Sequence, residues 1–422
     1  MIRVRTLLIL GIAVREAFSF WTGHPFDFEI WVRTGYWVVR GVSPYAPLPS
    51  APGLSFSNEF GGIFHAAIGY LPFWPVMLGG IYELYSGVGF GDRFAYYFLL
   101  KQPIIFADVL LAFALFVYVK RQNPDLAPKV LALWLFSPIT IIISAIWGTF
   151  DSISMLLVMM ALLAPAGRAR SAWDGLAAFV KSIPVIFILP LSYSRENRWV
   201  NFAIALGVPV LLSAVIIYIA GWPVTGQHYT VITTLANTLQ EYGFPLSLWG
   251  TWVFLNIMNV ISDSTFQSVI GWGVYLWIPA VVAASLVASR WFGSETQRGL
   301  VQSLLFITLT FLLVRGQVNE QYSLYLLALL LIDAALWNPQ RMRLFYAVSG
   351  VVLAAIVTNN ILLIRFVAPI YPNALQIETN LIASVNELRN VLLYIEGLAF
   401  SGLNLWYLAA LVKERRPRGY AF

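Results

Sequence analysis

Residues 98–119 read F-L-L-K-Q-P-I-I-F-A-D-V-L-L-A-F-A-L-F-V-Y-V, an apolar run of the length that crosses a lipid bilayer. Only Lys101 and Asp108 interrupt this run, and Lys120 and Arg121 follow it directly. Basic residues collect at the cytoplasmic ends of membrane segments. The stretch therefore predicts a membrane-spanning helix whose C-terminal end faces the cytoplasm.

The composition of the whole chain extends this interpretation. Of its 422 residues, 59% are hydrophobic and only 11% are charged, whereas soluble proteins carry about 25% charged residues. The pattern predicts an all-α polytopic membrane protein, a bundle of about 10–12 transmembrane helices in a single domain over residues 1–422. The apolar segments are 5–20, 98–119, 130–148, 152–165, 199–220, 268–289, 299–314, 321–337, 344–364 and 388–411.

Charge and motif content exclude several classes of protein. Much of the net charge of +6 lies in short loops that orient the helices, so it does not indicate a nucleic-acid partner. The chain has no cysteine, which excludes disulfides, thiolate metal sites and cysteine nucleophiles. It also lacks a P-loop, a glycine-rich dinucleotide fingerprint and an H-E-x-x-H zinc motif. No nucleotide or metal cofactor is therefore predicted.

The first external loop, residues 21–97, carries the strongest catalytic candidates. Asp27 and Glu29 lie just outside the first apolar segment, followed by a short stretch with one apolar, aromatic side and a polar side that includes Arg33. Such a stretch is too short to span and is typical of a helix lying in the membrane interface. A second broken apolar stretch, 62–80, predicts another in-plane helix.

Residues 171–192 are apolar, yet Lys181 lies in their middle and Pro184 follows three residues later. Arginines flank the segment on both sides, which predicts that both ends are cytoplasmic and that the segment is a re-entrant pair of half-helices. A lysine at bilayer depth costs about 2.5–3.5 kcal/mol. That cost is tolerable if the ammonium lines a wet cavity and meets an anion. A structural lysine that extends to the interface is the alternative.

The polar candidates collect on the predicted outer side, so we expect any reaction centre to face outward. An outward-facing enzyme without a nucleotide site needs a donor that is already in the membrane, and a lipid phosphate fits. Asp27 or Glu29 would take the proton of the acceptor hydroxyl. Cations would stabilise the departing phosphate; the candidates are Lys181, Arg315, Lys101 and His228. Alternatively, Asp27 only caps a helix, or the two carboxylates hold a divalent ion.

Several motifs, taken in order, resemble the GT-C superfamily of polyprenyl-phosphate-sugar-dependent membrane glycosyltransferases, and most closely the catalytic subunit family of GPI mannosyltransferase I. The acidic pair is Asp-x-Glu where that family has Asp-x-Asp. The motifs are Asp27-Phe28-Glu29, Gly41-Val42-Ser43-Pro44-Tyr45, Lys101 with Asp108, W-L-F-S-P-I (134–139), the outer turn with Asp151, G-L-A-A-F-V-K-S-I-P (175–184), the stretch 228–245, and V-N-E-Q-Y (318–322).

The resemblance implies a GT-C-like fold and an inverting transfer of a hexose, first of all mannose, from a polyprenyl or dolichyl phosphate donor. The acceptor would be a lipid-linked or other glycan hydroxyl on the outer or luminal face. Asp27 would be the base with Glu29 assisting. The sugar and acceptor site would include Asp151, Glu320, Gln321 and Tyr322. The membrane would be the plasma membrane of a prokaryote or the endoplasmic reticulum of a eukaryote.

Two other classes of function remain compatible with the sequence. In a transporter or lipid flippase, Asp108, Asp151 and Lys181 would line an intramembrane path. That class usually shows two related halves with matching broken helices, and we find no such repeat. A non-catalytic subunit that only binds a glycolipid is the third hypothesis.

Overall fold

The computed structural model describes residues 4–54, 56, 68–89, 91–193, 197–225, 230–239 and 246–414. Within these ranges the chain is helical and contains no strand, which confirms the predicted all-α class. The α-helices are α1 (Val4–Ser19), α2 (Pro25–Val38), α3 (Phe73–Gly87), α4 (Arg93–Lys120), α5 (Ala127–Leu135), α6 (Pro138–Ile141), α7 (Asp151–Leu163), α8 (Arg168–Val180), α9 (Ile188–Ser192), α10 (Arg198–Ala220), α11 (Val231–Leu239), α12 (Gly250–Ile257), α13 (Asp263–Gly273), α14 (Trp277–Trp291), α15 (Gln297–Val314), α16 (Ser323–Leu336), α17 (Met342–Asn359) and α18 (Ala374–Glu414).

Five helical segments of the described chain are long and apolar enough to cross a membrane, or six if a bent pair counts as one span. They are α4, α10, α15, α17 with the turn before it, and α18, and the bent pair joins α5 to the helix that ends at Trp147. Shorter apolar helices, among them α7 and α14, lie between them. The total of 10–12 crossings stays a prediction.

The predicted intramembrane acid Asp108 is neutralised inside the bundle. An Nη atom of Arg15 on α1 lies 2.6 Å from Asp108 Oδ2, and neither side chain is exposed. Trp134 of α5 donates to Asp108 Oδ1 at 3.0 Å. Removing one partner of such a buried pair costs about 3–5 kcal/mol. The pair therefore fixes α1, α4 and α5 together and leaves Asp108 no open path.

The first external loop contains two helices that pack against each other, α2 and α3. A Cβ on Gly35 of α2 would lie 2.6 Å from the Leu78 carbonyl oxygen, so only glycine permits this close approach. Glu29 and Arg33, expected on an interfacial polar side of α2, form a buried ion pair at 3.0 Å instead. That part of the prediction is wrong, because both sides of α2 are covered by protein. Of the predicted second in-plane helix, 62–80, residues 62–67 lie outside the described residues.

Residues 171–192 fold as two helical pieces with a break between them. Helix α8 ends at Val180, Lys181 has an extended backbone (φ −147°, ψ 138°), and a 3₁₀ turn, Ile183–Phe187, leads into α9. Proline at position 184 starts the turn because it cannot donate to a continuing α-helix. The break comes at Lys181, three residues before the proline at which the sequence predicts it. Its re-entrant placement in a bilayer stays a prediction.

Candidate functional site

A polar cavity of about 700 Å³ opens where several distant parts of the chain meet. Its walls on one side are the start of α2, the turn at Tyr70 and the end of the π-helix Ile142–Trp147. The break after α8 and the segments that follow α15 and α17 complete it. Residues predicted from the sequence that line it are Asp27, Lys181, Arg315, Glu320, Gln321 and Tyr322. The fold thus brings the predicted acid and two predicted cations to one space.

Asp27 projects from the first turn of α2, with 22% of its side chain exposed. Its Oδ2 accepts a hydrogen bond of 2.7 Å from Trp147 Nε1. Burial raises the pKa of Asp27 from 3.8 to about 6, although the Trp147 bond and the charges of Lys181 and Arg365 act in the opposite direction. A carboxylate with a pKa close to neutrality is suited to general base chemistry.

Trp147 reaches Asp27 because the helix before it ends abruptly. The π-helix Ile142–Trp147 is followed by Gly148 in the left-handed conformation (φ +85°). A Cβ at position 148 would also lie only 3.1–3.2 Å from the side chains of Phe28 and Lys101. Both the left-handed backbone and this close packing favour glycine. Single π-helical turns often occur at functional sites. Here the turn aims an indole N–H at the candidate base.

Lys181 enters the cavity wall from the end of α8 and is 5% exposed. Its Nζ donates to Asp151 Oδ1 at 2.7 Å. The C-terminus of α8 favours the cation and the N-terminus of α7 favours the anion. The ammonium also lies 5.0 Å from the centre of the Phe150 ring and 5.4 Å from that of Tyr322. Asp151 is completely buried and does not line the cavity. Its hydrogen bond therefore orients Lys181 from inside the protein.

Arg315 caps the C-terminal end of α15. Its guanidinium carbon lies 4.8 Å from the centre of the Trp277 ring. Its backbone carbonyl accepts a hydrogen bond of 2.7 Å from Ser247 Oγ, and the preceding carbonyl accepts one of 3.0 Å from Trp249 Nε1. The arginine backbone is therefore held by the segment before α12, while its side chain faces the cavity.

The next residues supply uncharged and acidic hydrogen-bonding groups. Glu320, Gln321 and Tyr322 form one 3₁₀ turn before α16. Asn359 at the end of α17 donates to Glu320 Oε1 at 2.9 Å. Within the described part of the chain, Gln321 Oε1 is buried without a hydrogen-bond partner. An acceptor of this kind beside a cavity is suited to a ligand hydroxyl.

Two further predicted residues, Glu29 and Lys101, do not line the cavity. Glu29 is 1% exposed and faces Arg33 across the buried ion pair. Lys101 is completely buried, and its Nζ donates to the Thr22 carbonyl oxygen at 2.6 Å. The geometry thus gives both side chains partners inside the protein. His228 lies outside the described residues.

Sequence reasoning did not select several groups that line the cavity, namely His24, Trp147, Asn359 and Arg365. Arg365 comes from the loop after α17 and is paired with Glu378 of α18 at 2.6 Å. His24 precedes Pro25 and is the N-cap of α2. A histidine before a proline at a helix start was a usable local signal. The contact of His24 with Arg365 could not be predicted from the sequence, because the two residues are far apart along the chain.

An apolar groove of about 510 Å³ lies beside the polar cavity, between α3, α4, α8 and α10. The rings of Phe73 and Phe179 line it and contact each other with centroids 5.8 Å apart. Phe179 is two residues before Lys181, and Phe73 is three residues after Tyr70, which lines the polar cavity. The groove and the polar cavity therefore share the same two pieces of chain.

The geometry also bears on the alternative interpretations. Asp108 is buried against Arg15 and Asp151 against Lys181, so these acids do not form a continuous open path. Among the residues that the structure describes, no group of three or more histidine, aspartate or glutamate side chains is placed to hold a metal ion. A divalent ion between Asp27 and Glu29 would need Glu29 to leave Arg33.

Comparison with protein-family models gives a match over the central part of the chain. The profile of glycosyltransferase family 87 matches residues 94–316, which is more than half of the 422-residue chain. The matched range contains Lys181 and Arg315, whereas Asp27 precedes it and Glu320 follows it. No curated protein matches the chain.

Proposed function

This chain belongs to glycosyltransferase family 87, a membrane glycosyltransferase family, and from that premise we propose that it moves a hexose from a polyprenyl-phosphate donor to an acceptor hydroxyl by one inverting displacement. The observation that carries the proposal is that Asp27, Lys181 and Arg315 line the same cavity. A base and two cations are the groups that such a transfer needs.

In the proposed step, proton transfer to Asp27 accompanies displacement at the anomeric carbon. Asp27 takes the proton of the acceptor hydroxyl, and the acceptor oxygen forms a bond to the anomeric carbon. The bond from that carbon to the phosphate oxygen breaks on the opposite face of the sugar, and its electron pair stays on the polyprenyl phosphate. Lys181 and Arg315 stabilise the charge that develops on the phosphate. One displacement inverts the anomeric configuration.

The surroundings of these residues support a lipid-linked donor. The apolar groove beside Lys181 offers a place for the first isoprene units of the donor. The turn of Glu320, Gln321 and Tyr322 offers hydrogen-bonding groups for the sugar. In this proposal Glu29 and Lys101 have structural roles, because each already has a buried partner. Asp151 acts by orienting Lys181.

Mannose is the sugar that we propose first. The basis is the resemblance of the Asp-x-Glu motif at Asp27 and of the stretch 175–184 to the GPI mannosyltransferase I catalytic subunit family. The acceptor in this proposal is a lipid-linked glycan, and the site faces the outer or luminal side of the membrane. The outward orientation is expected from the basic residues that collect in the predicted cytoplasmic loops.

The proposal is tested with the purified full chain in proteoliposomes. Polyprenyl-phosphate mannose, polyprenyl-phosphate glucose and a nucleotide-linked mannose are each supplied with a membrane glycolipid extract, and the products are analysed by mass spectrometry. We expect polyprenyl phosphate release and glycolipid mannosylation with the first donor only. Transfer from the nucleotide-linked sugar would refute the lipid-donor assignment.

A matched pair of variants tests the base. Asp27→Asn removes the proposed proton acceptor and keeps the size of the side chain, and we expect transfer to fall by about 10²–10⁴-fold. Asp125→Asn makes the same change at an exposed turn between α4 and α5 and should leave transfer unchanged. Equal activity of the two variants would exclude Asp27 as the base.

A further inference from the structure

Four side chains from the two ends of the chain form a connected series that ends at the proposed base. Glu378 of α18 pairs with Arg365 at 2.6 Å, and Arg365 Nη1 lies 3.1 Å from His24 Nε2. On the other side of the same ring, His24 Nδ1 lies 3.5 Å from Asp27 Oδ2. Residues 365 and 378 lie beyond the range that matches the glycosyltransferase profile.

The identity of these partners fixes where the imidazole carries its proton. An arginine guanidinium has only donors, so His24 Nε2 must accept from Arg365 and carries no hydrogen. Burial, and then the charge of Arg365, lower the pKa of His24 well below its usual value. The ring is therefore neutral, and its single proton is on Nδ1.

Two groups of Asp27 compete for that Nδ1 atom. The backbone N–H of Asp27 and its Oδ2 both lie 3.5 Å away. A protonated Nδ1 cannot accept from the backbone N–H, but it can donate to the carboxylate. Trp147 therefore donates to Asp27 Oδ2 at 2.7 Å, and His24 Nδ1 lies within 3.5 Å of the same oxygen. Oδ1 is left as the oxygen that takes the proton of the acceptor.

Packing holds the imidazole in this orientation. Its ring stacks on that of Trp147, with centroids 5.2 Å apart and planes 18° apart, and contacts Phe366 at 5.7 Å. A backbone hydrogen bond of 3.0 Å from Gly23 to the Phe366 carbonyl ties the two loops together. His24 is only 7% exposed.

We propose that His24 is a positioning residue for the base, and that Arg365, anchored by Glu378, sets the tautomer that lets His24 donate to the Asp27 carboxylate. The inference rests on the proposed function, since it assumes that Asp27 accepts the proton. It assigns a role in the reaction to the loop after α17, which lies outside the matched family segment.

The expected signature is a change in pH dependence. The charged groups that act on Asp27 are Lys181, Arg365 and Asp151. Loss of the donated hydrogen bond disfavours the carboxylate form, so the acid limb of the pH profile should move to higher pH by about one unit. A residue that only supports the fold would lower the amount of active enzyme without moving this limb.

Two substitutions of one residue separate the two ring nitrogens. His24→Asn places an amide N–H near the Nδ1 position, from which it can donate to Asp27 Oδ2. His24→Gln extends its amide towards the Nε2 position and loses the donor to Asp27. The kcat/KM of each variant is measured against pH in proteoliposomes, with polyprenyl-phosphate mannose as donor and the glycolipid extract as acceptor. Thermal unfolding of each variant serves as the folding control.

We expect H24N to keep the wild-type acid limb, and H24Q to shift it upward and lower kcat about tenfold with an unchanged donor KM. A folded H24Q variant with the wild-type limb and kcat would overturn the inference. If H24Q does not fold, Arg365→Gln is compared in the wild-type and H24N backgrounds, because loss of the Arg365 charge alone also raises the pKa of Asp27. A larger upward shift of the limb in the wild-type background supports the inference, and equal shifts in the two backgrounds overturn it. Two further outcomes separate the proposals: an active D27N variant would refute Asp27 as the base and with it the inference, whereas absence of transfer by the wild-type chain would refute the proposed function.

Discussion

The position of Asp27 makes the activity depend on pH in a range where aspartates usually do not titrate. Its pKa is raised from 3.8 to about 6, chiefly because the carboxylate is largely removed from water. A base works only when it is ionised. With a pKa of about 6, roughly nine tenths of Asp27 is ionised at pH 7 and roughly one tenth at pH 5. We therefore expect kcat/KM to fall about tenfold between these values.

The assay is transfer from polyprenyl-phosphate mannose in proteoliposomes equilibrated at each pH on both sides. The donor is a phosphodiester and stays anionic over this range, so the loss of rate reports on the protein. Thermal unfolding at each pH shows whether the chain stays folded. A flat profile from pH 7 to pH 5 would refute Asp27 as the base, or refute the burial that raises its pKa.

Four variants separate effects on stability from effects on activity. Asp27→Asn should stabilise the fold by up to about 3 kcal/mol at pH 7, since a pKa raised from 3.8 to about 6 disfavours the ionised form in the folded state. This gain should appear in thermal unfolding above about pH 6 and vanish below about pH 4. Lys181→Met should destabilise the fold by about 3–5 kcal/mol, because it leaves the Asp151 carboxylate buried without its cation. Adding Asp151→Asn should restore the unfolding midpoint, but transfer should stay reduced by at least about 100-fold. Glu29→Gln should lower the unfolding midpoint by leaving Arg33 without its buried partner, yet leave kcat per folded molecule unchanged.

Membrane segments were predictable because their signal is local and repeated. The predicted segments 98–119, 199–220 and 299–314 correspond to α4, α10 and α15 within a few residues, except that α4 begins five residues earlier. Hydrophobic length and flanking charge decide these helices, and both are visible in a short window of sequence. The segment 268–289 was placed less well, because a turn separates α13 from α14 within it.

Helix geometry could predict that Asp27 and Glu29 face different sides of α2, but not which of them faces the cavity. Asp27 and Glu29 are two residues apart on a helix, so their side chains point to different sides and cannot both face one cavity. The four-residue spacing of Glu29 and Arg33 puts the two side chains on one side of α2, where they form the buried ion pair. Which of the two acids faces the cavity depends on the packing of α2 against α3, and that is a tertiary property.

Contacts between residues far apart in the chain could not be predicted from sequence patterns. Arg15 with Asp108, and His24 with Arg365, meet across 93 and 341 residues. Nothing in the neighbourhood of Arg365 distinguishes it from other loop arginines. Lys181 was found because a lysine inside an apolar run is unusual and costly. Its partner Asp151 was found as an outer acid, but not as the group that holds Lys181.

The central claim, that the base and the cations meet around the donor head on the outer face, can be tested with one labelling measurement. The chain has no cysteine, and Ser182 is exposed in the cavity next to Lys181. Ser182→Cys is labelled in oriented vesicles with a membrane-impermeant maleimide, with Asp125→Cys as the control for the opposite side. We predict that the outer reagent modifies position 182 but not 125, and that polyprenyl-phosphate mannose protects position 182 alone. Labelling of both positions from one side, or no protection by the donor, would contradict the account.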